Sequence, residues 1–314
     1  MTERGTGPGA RWRGWLVAAL VTAGFVLVAA NVLDVGESAR SLTRIDAGAW
    51  ATVIALSLLM AVLRALRVVV MARTAEIGPV VKASFLHGAA NAILPARVGE
   101  AVLPIALARY GGFDPVRAVG LLLIVRLGDL IALAGIGLLL VAVIDIWDHP
   151  DGLRLLIAGA GILLMAGIGA VPALVGAAGR VAPGMLRSLA GRIAAAGSLL
   201  ARNARLSLVA LTLAIWLTLA IAAQVSVSAA GLDTGFAYAW LACVAASLAF
   251  ALPTNGIASV GPFEAAFVAM LALSGAPVEA ALTAALHLHL CALAGAGLAA
   301  LSTLVLPAQN EGRC

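Results

Sequence analysis

Five ionisable side chains stand inside otherwise apolar sequence: Arg97, Glu100, Arg126, Asp129 and Glu264. An ionisable group at the centre of a hydrocarbon layer costs roughly 2.5–3.5 kcal/mol on insertion scales, so each must be compensated or used. Arg97 and Glu100 are three apart across the start of a helical arm, and Arg126 and Asp129 are three apart in a continuous apolar run, a spacing that shares one helix face. Either pair could simply neutralise itself, since fixed ion pairs often only pin helices. Arg97 with Glu100 favours function, because a helix break offers free amides and a positive helix end that attract an anionic group. Glu264, two residues beyond Pro262, could answer a charged group or only cap its own helix. Asn255 offers a donor and an acceptor, although a turn residue is its commoner use. The chemistry in reach is recognition of a charged group, since the chain carries no nucleophile elbow, phosphate-binding glycine loop, zinc signature or EF-hand.

His287 and His289 lie in the last apolar run, where a spacing of two puts them on different helix faces, so one helix cannot bring both to one metal. One of them could face a cavity as a hydrogen-bond donor to a lipid phosphate or as a proton carrier, and His289 is the one counted with the candidate site. His87 and His149 read as a packed residue and an exposed loop residue. Cys243, Cys291 and Cys314 show neither paired ligand spacing nor a disulfide framework, and the first two read as small apolar helix residues. No cofactor and no metal are expected.

The elements that hold these residues are membrane helices. At 63% apolar and 11% charged residues the chain lies far outside the soluble globular average. Apolar runs long enough to span a core that takes about 20 helical residues occur at 15–33, 50–71, 118–144, 153–174, 206–230 and 279–306. The first is too long for a signal peptide and no small-residue cleavage site follows Ala30, so it reads as a retained anchor. Basic residues fix the orientation. Arg4, Arg11 and Arg13 place the N-terminus in the cytoplasm. Arg64, Arg67, Arg73 and Lys82 mark the next inner stretch, and Arg180, Arg187, Arg192, Arg202 and Arg205 mark the long inner segment 176–205. Asp145, Asp148 and Asp151 fall outside. The net charge of +5 is therefore mostly cytoplasmic and faces anionic inner-leaflet lipids rather than nucleic acid.

Two apolar regions are too short to cross. As a helix, 80–94 reaches only ~22 Å before Pro95, and 98–110 is no longer. Lys82 at one end and Arg109 with Arg117 at the other put both ends in the cytoplasm, which predicts a re-entrant helical hairpin. A second pair, 239–252 and 263–274, is split by the stretch 253–262, with both ends outside. The two regions are related: Glu100 to Glu264 is an offset of 164, and Pro115 to Pro277 is 162. Pro95, Gly99, Pro253, Gly256 and Gly261 make the breaks. Broken segments at matching positions of two halves point to a substrate site at the membrane midplane.

The expected fold is an all-α integral membrane protein of six crossing helices and two re-entrant hairpins in an inverted-topology repeat. Within a single polytopic domain, 1–314, we place the anchor at 15–33, repeat one at 50–144, a connecting helix with a cytoplasmic segment at 153–205, and repeat two at 206–306. Residues 185–205 carry apolar positions at helical spacing and read either as an interfacial amphipathic helix or as an ordinary linker.

The stretches ILPARVGE at 93–100, GFDPVRAV at 112–119, VRLGDL at 125–130, LPTNGIASVGPFEAAF at 252–267 and GAPVEAAL at 275–282 resemble the lysylphosphatidylglycerol synthase transmembrane family, also called flippase-like proteins. The resemblance covers about 15–306. It implies a lipid transporter that is not an enzyme, with Pro95, Arg97, Gly99 and Glu100 on one family motif, Arg126, Leu127 and Asp129 on another, and Pro253, Gly256, Gly261 and Glu264 on the second-half positions. It also implies a cargo among anionic or aminoacylated phospholipids and polyprenyl-phosphate lipids. Many members have a tighter loop than 253–261, and an Arg in the last crossing where this chain has His289 nearby. No aminoacyl-transferase domain follows Leu306, so a stand-alone membrane domain in the cell membrane, with both termini cytoplasmic, is expected. A reading from another class is a scaffold that transports nothing and docks a separate lipid-modifying enzyme. A homo-oligomer is a further expected partnership.

Overall fold

The computed structural model describes residues 23–24, 35–144, 149–171, 173–174, 177, 202–251, 258 and 260–305. Regular structure among them is helical throughout: α1 (Val35–Arg44), α2 (Ala47–Ala72), α3 (Ile77–Ile93), a 3-10 turn over Pro95–Ala101, α4 (Val102–Gly111), α5 (Pro115–Ile144), α6 (Asp151–Gly167) running into a 3-10 turn over Ile168–Ala170, α7 (Arg202–Ala229), α8 (Phe236–Phe250), α9 (Pro262–Ala272) and α10 (Val278–Ser302). Five segments are long and apolar enough to cross a membrane, namely Ala47–Ala72, Pro115–Ile144, Asp151–Ala170, Ala204–Ala229 and Val278–Ser302, and the chain is a multi-pass membrane protein. The expected anchor at 15–33, most of the segment 176–205, and Pro253, Asn255 and Gly256 lie outside the described residues.

Local sequence sets the helix ends. Asp46 caps α2 by accepting from the Ala49 amide at 3.0 Å, and Arg73 closes it in the left-handed region with φ 47°. Asp114 accepts from the Arg117 amide at 3.2 Å, with Pro115, which has no amide to leave unpaired, as the first residue of α5. Pro95 forces Leu94 out of the helical region, to φ −79° and ψ 133°, so α3 stops at Ile93. At 1.5 Å per residue, α3, α4, α8 and α9 measure roughly 26, 15, 22 and 17 Å, against a hydrocarbon core of about 30 Å.

The long helices α2 and α7 pack along one another, and α5 packs along α6. The short helices are wedged between them: α3 pairs with α4 and lies on α2 and α10, while α8 pairs with α9 and lies on α7 and α5. One buried apolar cluster joins Met71, Val80, Leu103, Leu121 and Val244, and a second joins Met60, Leu219, Phe267, Leu271 and Leu288. Backbone contact replaces side-chain packing where glycines meet. A Cβ on Gly135 would lie 2.7 Å from the Gly161 carbonyl, and one on Gly161 would lie 2.6 Å from the Gly135 carbonyl. Small residues allow this close approach in an environment where apolar burial does not drive helices together.

Arg64 and Arg67, which the charge pattern counts with the inner stretch, stand inside the expected crossing 50–71 and inside α2, eight and five residues before its last residue. They fall on the helix face that carries Val53, Ser57, Met60 and Met71, so the periodicity of that face, and not the end of the helix, decides where they point.

Candidate functional site

Arg97 sits in the turn after α3 with φ +59°, a left-handed backbone that costs a side-chain-bearing residue on the order of 1–2 kcal/mol. The offset of 164 that relates Glu100 to Glu264 relates Arg97 to Gly261, which has φ +122°. Glycine takes positive φ without steric cost, whereas arginine at 97 does not. Its guanidinium donates to the Ala251 carbonyl at the end of α8 and, at 2.7 Å, to Oε1 of Glu100. Its Cζ lies 5.8 Å from the centre of the Phe250 ring. The break in the first pair of short helices is thereby tied to the end of the first arm of the second pair.

Glu100 is held from two sides. Besides Arg97 it receives Arg126, whose Nε donates to Oε2 at 2.8 Å and whose Nη2 lies 2.7 Å from Oε1. His87, on α3, places Nδ1 3.1 Å from the Gly99 carbonyl and Nε2 3.2 Å from Arg126 Nη2. Donation from Nδ1 to the carbonyl leaves Nε2 to accept from the arginine. A Cβ on Gly99 would lie 2.5 Å from the Ala90 and Asn91 backbone, so only glycine lets this turn close onto α3. The side chains of Arg97, Glu100 and Arg126 keep 21%, 20% and 32% of their surface accessible, and the cluster therefore opens outward rather than being sealed.

Beneath it lies a sealed pair. Arg67 makes a forked contact with Asp129, Nη1 to Oδ1 at 2.6 Å and Nη2 to Oδ2 at 3.1 Å, and also donates to Thr212 Oγ1 at 3.0 Å. Both partners are buried. The pairing of Arg126 with Asp129, one of the two readings of that spacing, survives only as a secondary contact of 3.7 Å. Parallel two-point hydrogen bonding across helices outweighs what an i,i+3 approach on one helix offers, so each residue takes its main partner elsewhere.

The second half repeats the theme with different chemistry. Glu264 is fully buried, and its Oε2 accepts from the Gly261 amide at 2.7 Å, which caps α9 as one of the two sequence readings held. Its other oxygen meets His289 Nδ1, while His289 Nε2 lies 2.9 Å from the Ala258 carbonyl. Glu100 and Arg126 are 26 residues apart, Glu264 and His289 are 25, so each half joins a carboxylate at its break to a base on the following long helix. His287 points to another face, with Nδ1 3.0 Å from Ser226 Oγ and its ring edge-on to Trp50 at 4.4 Å. Among the described residues no three His, Cys, Asp or Glu side chains gather as a metal site would require.

Of the sequence-predicted site residues, Arg97, Glu100, Arg126 and Asp129 come together in one cluster, and Glu264 with His289 forms another; Pro95 and Gly99 shape the first break and Gly261 the second. Sequence reasoning missed Arg67 and Thr212, and it read His87 as merely packed. A signal for Arg67 was available in its register with Met60 and Met71. None existed for Thr212, 145 residues away.

The family model described as the lysylphosphatidylglycerol synthase TM region matches residues 15–300. No curated protein matches the chain.

Proposed function

The chain belongs to the lysylphosphatidylglycerol synthase TM region family, and from that premise and the accessible Arg97–Glu100–Arg126 cluster we propose that it moves phosphate-bearing lipids between membrane leaflets, as a transporter and not as an enzyme. Family membership points to a lipid-related role in a membrane. Arg97 carries the finer reading: an arginine held at positive φ, at a position whose counterpart is Gly261, with its fork reaching between the two breaks, is what a head-group contact requires.

In this reading α3 with α4, and α8 with α9, are re-entrant hairpins that enter from opposite faces, because none of the four helices is long enough to cross. Non-helical backbone at membrane depth must find partners in protein or water. The donation from Arg97 to Ala251 and the contact of His289 with Ala258 meet that need at the second break, and the contact of His87 with the Gly99 carbonyl meets it at the first. Residues α2 to α5 and α7 to α10 form the two inverted repeats, which rock against each other and expose the cluster to each leaflet in turn. Lys82, Arg109 and Arg117 at the ends of the first hairpin support a cytoplasmic side there, in the cell membrane, with both termini inside. Arg97, Arg126 and Asn255 contact the head group, Glu100 and Glu264 balance the cations, and Asp129 orders the arginines.

The test is leaflet exchange. Vesicles carrying fluorescent phosphatidylglycerol in both leaflets, with or without purified protein, are treated with a quencher that cannot cross the bilayer. Protein-containing vesicles should lose all of their fluorescence, and empty ones only the outer-leaflet share. Equal losses would remove the transport reading, and a lipid-modifying enzyme that copurifies in equal amount would then favour the scaffold.

A further inference from the structure

The inward face of α2 carries Val53, Ser57, Met60, Arg67 and Met71, each buried to 6% exposure or less. Arg64 stands four residues after Met60 and three before Arg67, so its side chain leaves the helix on the same face, yet it is exposed. An inward-facing residue can be accessible only where the interior opens. Arg64 therefore lines a crevice whose surroundings it shares with the partly accessible Glu100 and Arg126, and Arg97 joins them through its ion pair with Glu100. Arg64 lies within electrostatic reach of Asp129, Arg126, Arg67 and Glu100.

The charges in that crevice do not cancel. Four guanidinium groups, of Arg64, Arg67, Arg97 and Arg126, face two carboxylates, of Glu100 and Asp129, which leaves a net +2 among the described residues, and His87 adds no negative charge. Both carboxylates are already engaged. Glu100 is shared by Arg97 and Arg126, and Asp129 is forked by Arg67. The hydrogen bond that Arg64 makes among the described residues goes to the Met60 sulfur at 3.5 Å, a weak acceptor that carries no charge. The Nε–H of Arg67 is buried without an acceptor. An excess of cation at membrane depth calls for an anion.

We propose that this crevice selects lipids whose head group is net negative, that Arg64 is the specificity-determining cation, and that a head group bearing an added aminoacyl ammonium is disfavoured. The proposal rests on the reading above that the cluster is the cargo site. A phosphodiester or phosphomonoester brings one or two negative charges to a surplus of two positive ones. Aminoacylation cancels that charge, and lysylphosphatidylglycerol, with two ammonium groups on one phosphodiester, brings a net positive charge into the same field, where repulsion between like charges in a poorly solvated site is strong.

Binding tests this without requiring transport. The purified full-length protein is offered equal amounts of phosphatidylglycerol and lysylphosphatidylglycerol, and the lipid retained is read by native mass spectrometry. Wild type should retain phosphatidylglycerol by at least about tenfold, the size of one charge-assisted hydrogen bond. Arg64→Gln should lose most of that preference, whereas Arg64→Lys, which keeps the charge, should retain it. Equal or greater retention of lysylphosphatidylglycerol by wild type would overturn the proposal even if no variant folds, and so would an unchanged preference in Arg64→Gln. Inorganic phosphate in excess should not displace the lipid; displacement would make the site one for a free anion and overturn the head-group assignment. Selective binding without leaflet exchange would leave the charge selection standing and remove the transport reading, while exchange without selectivity would do the reverse.

Discussion

Replacing Asp129 with alanine should destabilise the protein by about 3–5 kcal/mol, the cost of leaving a buried charge without its partner. Arg67 is 3% exposed, and Asp129 supplies both oxygens of its forked contact; without them the guanidinium keeps only Thr212. Arg126 also loses its 3.7 Å contact, so the upper cluster gains uncompensated charge at the same time. The paired substitution Arg67→Met with Asp129→Leu should recover most of the loss, because a buried ion pair exchanged for packed apolar groups is often neutral or stabilising. Unfolding in mixed micelles by added ionic detergent reads the difference, as a midpoint that falls in Asp129→Ala and returns in the pair. An Asp129→Ala midpoint equal to wild type would show that Arg67 does not depend on this carboxylate.

Arg97→Gly separates stability from function more sharply than an alanine can. The backbone at 97 is left-handed, so glycine removes strain of about 1–2 kcal/mol. Glycine's greater freedom in the unfolded chain returns roughly 0.5–1 kcal/mol of that. Glu100 keeps Arg126 as its partner, so no buried carboxylate is left alone. The Ala251 carbonyl loses its donor, at a cost of about 1–3 kcal/mol that the relief of strain partly offsets, so stability should fall by at most about 3 kcal/mol. Leaflet exchange should slow by about 10- to 100-fold, the loss of one hydrogen bond to a charged group. Arg97→Lys should fall between, since an ammonium keeps the charge and loses the planar fork. Exchange at the wild-type rate in a stable Arg97→Gly would mean that the side chain serves only to close the turn.

Residues whose effect is local were the legible ones. Pro95 dictates that α3 stops at Ile93, and Gly261 with Pro262 dictates where α9 begins, because proline and glycine act through their own backbone and need no distant partner. The spacing of Arg97 and Glu100 was likewise sufficient to place them in contact, since three residues bring the side chains together in the turn as they would on a helix. Asp129 was different. Its near neighbour Arg126 has the right spacing, but the stronger partner, Arg67, lies 62 residues earlier on another helix. Only the way α2 packs beside α5 decides between them. Using Arg64 and Arg67 only as markers of the cytoplasmic side hid their role, because the rule on basic residues says nothing of which helix face they take. The stripe from Val53 through Ser57 and Met60 to Met71 passes through both residues, and it was the sign that they point inward. His87 gave no sequence signal, since its partners Gly99 and Arg126 reach it only after the turn at Pro95 folds back.

The inverted arrangement of two folded-back helix pairs is tested most directly by which side of the membrane their ends occupy. With Cys243, Cys291 and Cys314 replaced, single cysteines are introduced at the exposed positions Glu76 and Asp114, which flank α3 and α4, and at Asp233 and Glu279, which flank α8 and α9. A maleimide that cannot cross the membrane, applied to intact cells, should label Asp233→Cys and Glu279→Cys and should reach Glu76→Cys and Asp114→Cys only after permeabilisation. Labelling of Glu76→Cys and Asp114→Cys from opposite sides, or of Asp233→Cys and Glu279→Cys from opposite sides, would mean that the chain threads straight across and would contradict a head-group site built from two meeting breaks.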